Sequence, residues 1–291
     1  MVPVVLVHGI FNYVRGADLA QAAALKAAEF GPRLAEGLGR AGFGTVVPQV
    51  AFAYYADLLR TRLPDQAQSA EPDDTFDSLP DVLKDEALEW LAAAGAPLPP
   101  DPQLRVLKPF IQMLGWLVDE RCGRLSSIVR EETIGRVERT VVTNLREVEA
   151  YTTWPERRHL VRERIAETIR RERPQVVIAH SLGSYVTYET LHANPDLKVE
   201  LLVTAGSPLR VPALARRLDP PLRAGRGAKP DGVGRWVNIA DVGDPVAVPP
   251  KLGAVFDVDQ DETCDLGWDV HTLGQYLAQG LIAAAAAPYL I

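Results

Sequence analysis

The chain alternates between two kinds of hydrophobic pattern. Val4 to Val7 is an unbroken apolar run rich in β-branched residues. A strand buried on both faces, as in a parallel sheet, reads this way. From Ala20 to Arg40 the chain is rich in Ala, and Leu25, Ala28, Leu34 and Leu38 recur at helical spacing. Gly42 and Gly44 flank the end of that segment, and Thr45-Val46-Val47 begins a second strand pattern. This β-α-β order predicts a parallel sheet. The alternation returns at Pro155, a residue suited to the first helical position. Val161, Ile165 and Ile169 follow at steps of four, then a strand over Val176 to Ala179, a helix over Leu182 to His192 and a strand over Leu201 to Thr204. Arg210 to Gly234 is rich in Pro, Gly and Arg and reads as surface loop. Trp236 to Ala240 predicts another strand, Val255 to Val258 a short last strand, and Val270 to Ala287 a final helix.

Between Val47 and Pro155 the pattern changes. Asp65 to Asp101 holds ten Asp and Glu residues against one Lys, with many prolines, and part of it is expected to be a mobile loop. Leu104 to Val118 has an apolar face too wide for a surface helix. Leu125 to Val148 reads as one or two helices rich in Arg and Glu. No alternating strand pattern interrupts this block. The expected organisation is an α/β core over residues 1–55 and 152–291, interrupted by a helical insertion over residues 56–151. The core is expected to be a mostly parallel sheet flanked by helices.

Composition narrows the function classes. Of 291 residues, 47% are hydrophobic and 24% charged, which excludes global disorder. The net charge of −7 and the lack of a basic tract exclude ordinary nucleic-acid binding, which needs clustered Lys and Arg. Only 6 of the 31 basic residues are Lys, and with the many Ala this hints at a high-GC bacterial genome. Cys122 and Cys264 form neither a disulfide framework nor a zinc-ligand spacing, so no metal is implied. The first residues show no secretory signal pattern. The longest apolar run, Leu281 to Ala287, is far short of the ~20 residues that span a bilayer. Cytoplasmic location without stable membrane insertion is the expectation.

The strongest chemical signal is Ala179-His180-Ser181-Leu182-Gly183-Ser184, set directly between a strand pattern and a helix pattern. A turn this sharp strains its central residue and needs small neighbours so that strand and helix can approach. The hydroxyl of Ser181 is then lifted above the sheet, with the N–H of Leu182 beside it. The usual form is G-x-S-x-G, and Ala179 stands at the first Gly. The plain alternative is an ordinary Ser-Gly turn. A second signal, Val7-His8-Gly9-Ile10-Phe11-Asn12, ends the first strand. Acyl transfer needs N–H donors aimed at the developing oxyanion, and a Gly at such a loop lets the backbone turn toward the nucleophile. Ile10, or else Phe11, is the candidate donor beside Leu182, with His8 holding the loop. A nucleophilic Ser also needs a base and an orienting acid. His8 and His180 already belong to the loop and the turn, His159 lies in a charged helix, and His192 ends a helix. His271, after the last strand, remains. Asp241 and Asp244 both follow the strand at Trp236 to Ala240. Asp241 equally suits a turn cap, and Asp244 sits in a Gly-Asp-Pro bend.

With these pieces in place the chain resembles the α/β-hydrolase superfamily on its lipase/esterase side. The matching segments are Val7-His8-Gly9-Ile10, Ala179 to Gly183, Thr204-Ala205-Gly206-Ser207-Pro208, Asp244-Pro245-Val246 with Pro249-Pro250, and His271. The resemblance covers about residues 1–50 and 155–290, not the insertion. It implies an α/β-hydrolase fold trimmed at its N-terminal edge, with the insertion as cap or lid. It favours Asp244 as the acid, in the order Ser181, Asp244, His271. The implied reaction is hydrolysis of a small or lipid-like ester through an acyl-enzyme on Ser181, without cofactor. Phe11 is a candidate pocket residue, and Phe110, Met113 and Trp116 of the insertion would line an acyl pocket or simply pack its core. His180 and Gly183 support the turn, as His8 and Gly9 support the loop. A thioesterase or acyltransferase would use the same residues, and a non-catalytic scaffold that binds a ligand or partner is the third reading. Oligomeric state is not encoded in any visible pattern.

Overall fold

The computed structural model describes residues 4–44, 47–59, 75–97, 107–122, 126–267 and 271–290. Among them, six strands form one sheet: β1 (Val4–Val7), β2 (Val50–Ala53), β3 (Val176–His180), β4 (Val199–Ala205), β5 (Val233–Asp241) and β6 (Gln260–Cys264). Their order is β2-β1-β3-β4-β5-β6, and every neighbouring pair is parallel. Residues alternate between two cores along the strands. Val4, Leu6, Val176 and Ile178 face one, and Val5, Val7, Val177 and Ala179 the other. All eight are fully buried, as a parallel sheet covered on both faces requires.

Helices α1 (Leu19–Arg40), α8 (Leu273–Ala278) and α9 (Leu281–Leu290) cover the first face. Helices α5 (Pro155–Glu172) and α6 (Leu182–Ala193) cover the second. Asp18 caps α1 through a capping box with Gln21, and Pro155 occupies the start of α5. The buried stripe of α5 is Val161, Ile165 and Ile169. In α1 the buried stripe is Ala22, Phe30, Leu34 and Leu38, whereas Leu25 and Ala28 are exposed. The helix is turned to this side because Gly37 lies against Leu277, where a Cβ would sit 2.1 Å from the carbonyl oxygen.

Three expected elements shift. Thr45 and Val46 lie outside the described residues, Val47 is exposed, and the strand runs at Val50–Ala53, beyond Pro48. The last strand is Gln260–Cys264 rather than Val255 to Val258. It is an edge strand with one neighbour, so polar residues suffice, while Phe256 leaves the sheet to pack on Trp236. The expected final helix is two helices, broken at Gly280, whose φ of 104° no helix tolerates. Val270 lies outside the described residues.

Between β2 and β3 come α2 (Asp81–Ala93), α3 (Leu107–Cys122) and α4 (Ser127–Thr152). The acid-rich stretch thus carries a helix, because Leu83, Ala87, Trp90 and Leu91 form a buried stripe beneath its charges. Residues 65–74 and 98–101 lie outside the described set. The insertion helices share one apolar core with the sheet's second face. Trp90 Nε1 donates to the Pro245 carbonyl at 2.7 Å, and Glu189 of α6 binds Tyr151 of α4 as well as Arg158 and Arg162 of α5. Short α7 (Pro212–Ala215) meets α2, with Arg216 paired to Glu89 and Arg217 to Glu86 nearby. Parallel sheet, flanking helices and extra helical segments together make an α/β-hydrolase-like fold. No helix among the described residues is long and apolar enough to cross a membrane.

Candidate active site

Strands β1 and β3 are neighbours, while the chain leaves β1 toward β2 on the opposite side. Ligands of open α/β sheets bind where the strand order reverses in this way, outside the carboxyl ends of the strands. His8 to Ile10 leave β1 at this point and Ser181 leaves β3. Ser181 has φ 54° and ψ −132°, a strained conformation for a residue with a Cβ. The turn is held by Ser181 N–H donating to the Ala205 carbonyl at 3.0 Å and by Ser184 Oγ donating to the Ser181 carbonyl at 2.6 Å.

Small residues make this geometry attainable. A Cβ on Gly183 would lie 2.3 Å from the His8 carbonyl oxygen, and one on Gly9 would lie 2.4 Å from Ser181 Cβ. Ala179, at the first position of the motif, is buried in the sheet without a comparable demand.

Ser181 Oγ lies 2.8 Å from His271 Nε2, and His271 Nδ1 lies 2.8 Å from Asp244 Oδ2. With Nδ1–H donating to the carboxylate, Nε2 is free to accept the hydroxyl proton. Asp244 is fully buried. Its Oδ1 accepts Val246 N–H at 2.8 Å and Ala247 N–H at 3.3 Å, and Tyr276 Oη donates to Oδ2 at 2.7 Å. The Tyr276 hydroxyl stays protonated, since burial and the Asp244 carboxylate push its pKa well above 10. Gly206, in the Gly-Ser-Pro segment, has φ 56° and leaves room for this carboxylate. Asp241 is elsewhere. It accepts Gly243 N–H at 2.6 Å and Leu266 N–H at 2.5 Å, so it ties down the loop, and burial raises its pKa.

The loop after β1 is held from below. His8 Nδ1 bonds the Gly9 carbonyl at 2.7 Å, and its Nε2 accepts Tyr55 N–H at 3.0 Å. The ring stacks on Tyr55 at 4.0 Å, and Tyr55 Oη donates to the His8 carbonyl at 2.6 Å. Burial drives the His8 pKa down to about 3, so the ring stays neutral. Asn12 Nδ2 donates to the Ile10 carbonyl at 2.8 Å. Ile10 is buried, whereas Phe11, at φ 59°, turns outward and is 59% exposed. Leu182 opens α6, where an N–H has no intrahelical acceptor. His180 packs on His271 with ring centroids 4.7 Å apart. Burial and the neighbouring His271 and His8 hold its pKa well below 6.5. Among the described residues its Nε2 is buried without a hydrogen-bond partner.

A cavity of about 960 Å³ opens over this point, with Ile10, Phe11, His180 and His271 in its wall. Leu117, Val118 and Val137 of the insertion supply apolar lining, and Lys26 and Arg33 of α1 a charged side. Phe110, Met113 and Trp116 lie away from that wall. Phe110 stacks on Phe76 at 4.1 Å, and Met113 and Trp116 pack in the same core. His159 is exposed and His192 reaches the Ala228 carbonyl at 3.2 Å. Sequence reasoning missed Tyr276, Tyr55 and Asn144, whose Oδ1 is 3.5 Å from Ser181 Oγ. None carries a local motif. Among the described residues no group of three His, Cys, Asp or Glu side chains is placed to hold a metal ion.

A hydroxyl, an imidazole and a carboxylate in hydrogen-bonded series can act chemically as a nucleophile, a base and an orienting acid. The chain matches no protein-family model, no curated protein and no solved structure.

Proposed function

We propose that this chain is a serine hydrolase of the esterase/lipase kind, cleaving a carboxylic ester through an acyl-enzyme on Ser181. The observation that carries the reading is the pair of 2.8 Å contacts that link Ser181 to His271 and His271 to Asp244. His271 takes the Ser181 proton as Oγ attacks the ester carbonyl, and Asp244 holds the imidazolium that forms. The N–H groups of Leu182 and Ile10 hold the oxyanion, each donor contributing about 3 kcal/mol in such sites. His271 returns its proton to the leaving alcohol, and water then releases the acyl group. Hydrogen bonds from Tyr276 Oη and the Val246 and Ala247 amides fix the Asp244 carboxyl group in place.

The insertion over residues 56–151 serves as the cap, and its apolar wall of Leu117, Val118 and Val137 takes the acyl chain. Labelling by a fluorophosphonate, with mass spectrometry to locate the adduct, tests the chemistry. The adduct is expected on Ser181 in the wild type and absent from Ser181→Ala and His271→Ala. An unlabelled wild type refutes the reading. A series of p-nitrophenyl esters and acyl-CoA thioesters then separates ester from thioester cleavage.

A further inference from the structure

Ser181 Oγ faces two acceptors. His271 Nε2 is 2.8 Å away and Asn144 Oδ1 is 3.5 Å away. Asn144 comes from α4 of the insertion and is fully buried. Its amide is fixed in orientation, because Nδ2 donates to the Thr140 carbonyl at 2.9 Å, one turn back along α4. The oxygen is therefore the atom turned to Ser181. A hydroxyl has one proton. While Ser181 gives it to His271, the Asn144 oxygen keeps only a contact longer than an ordinary O–H···O bond. A buried amide oxygen held beside a nucleophile without a close donor is costly unless another state of the site supplies one. The acyl-enzyme is such a state. There Oγ carries no proton, and both acceptors wait beside the acyl carbon. Water alone among simple acceptor nucleophiles brings two O–H donors on one oxygen.

We propose that Asn144 and His271 together hold the deacylating water, one O–H to each. The proposal rests on the serine-hydrolase reading and extends it to the choice of acyl acceptor. The water oxygen forms a bond to the acyl carbon as its O–H toward His271 breaks and the proton passes to Nε2. The tetrahedral intermediate then collapses. The bond from carbon to Oγ breaks, the Nε2 proton moves to Oγ, and the free carboxylic acid leaves. The second O–H stays on Asn144 Oδ1 throughout and aims the oxygen lone pair at the carbonyl. Thr140, on the same face of α4, lines the cavity, which gives water a route in. An alcohol has one O–H and satisfies one acceptor, so Asn144 biases the enzyme toward hydrolysis over acyl transfer.

The test uses the full chain with a p-nitrophenyl ester, followed by stopped flow with and without methanol. The variants are Asn144→Leu, which fills the space, and Asn144→Ala. Fluorophosphonate labelling of Ser181 reports whether each variant keeps its nucleophile. In the variants, the acylation burst is expected within about 3-fold of wild type while deacylation falls about 10- to 100-fold. Acyl-Ser181 then accumulates in the intact mass, and the ratio of methyl ester to free acid rises about 10-fold. Burst and deacylation falling together, or an unchanged product ratio, overturns the proposal. Loss of labelling in both variants assigns Asn144 to the fold alone and overturns it too. An unlabelled wild type instead overturns the hydrolase reading, and this inference with it.

Discussion

Gly206→Ala isolates the cost of disturbing the carboxylate behind His271. The added Cβ would lie 2.8 Å from Asp244 Oδ2, 3.1 Å from Tyr276 Cε2 and 3.3 Å from His271 Cε1. All three neighbours belong to the hydrogen-bonded series, and the nearest is closer than real Cβ atoms come. Asp244 cannot yield freely, because its other oxygen is held by two backbone amides. Relief therefore lengthens the 2.8 Å contact to His271 or tilts the ring away from Ser181. The backbone adds a separate cost, since Gly206 sits at φ 56°, where a residue with a Cβ loses about 1–2 kcal/mol. Gly225→Ala is the matched control. It has φ 76°, and a Cβ there meets nothing within 4 Å. Urea unfolding should show Gly225→Ala losing about 1–2 kcal/mol and Gly206→Ala at least as much. Ester hydrolysis should separate them, with Gly206→Ala losing about 100-fold in kcat/KM and Gly225→Ala almost nothing. If Gly206→Ala keeps the fluorophosphonate labelling rate and ester turnover of the control, the role given to this contact is wrong.

Other predictions follow from the same contacts. His8 is neutral with its pKa driven to about 3, so the unfolded chain binds the extra proton below pH 6.5. Stability is then full above that pH and falls as pH drops toward 3, with His8 accounting for about 2 kcal/mol between pH 7 and pH 5. His180, shifted in the same direction, adds to the slope; urea midpoints for wild type and His8→Gln measure it, and equal slopes refute the assignment. Glu189→Ala should cost about 3–5 kcal/mol, because it strips Arg158 and Arg162 of a buried carboxylate. A loss below about 1 kcal/mol would show that water reaches both guanidinium groups. Val137→Phe should lower the ratio of long-chain to short-chain ester turnover about 10-fold by filling the apolar wall. An unchanged ratio would move the acyl chain elsewhere in the cavity.

The parts of this molecule that were legible in sequence are those whose physics is local. A fully buried parallel strand must be apolar at every position, so Val4 to Val7 and Val176 to Ala179 announce themselves. A strained turn between strand and helix demands small residues at fixed offsets, so Ser181 and Gly183 could be singled out. The Asp241 and Asp244 alternatives were harder, since both follow one strand, and only hydrogen bonding separates a loop tie from a partner of His271. The strand at Gln260–Cys264 escaped notice because an edge position asks little of hydrophobicity. Asn144 escaped because a polar residue inside an Arg- and Glu-rich helix looks like any solvated one. Its burial is a property of how α4 packs between α3 and α5 and reaches Ser181, which no short window of sequence contains.

The pairing of Val4 with Val176 joins strands separated by roughly 170 residues of chain. The two loops that converge on Ser181 depend on that pairing, and His271 in the cavity wall lies further along the chain still, so the pocket comes into being late in synthesis. Until then Trp90, Phe110 and their neighbours lack the sheet face that covers them. Assembly should be slow, intermediates sticky, and recovery from denaturant best in dilute solution.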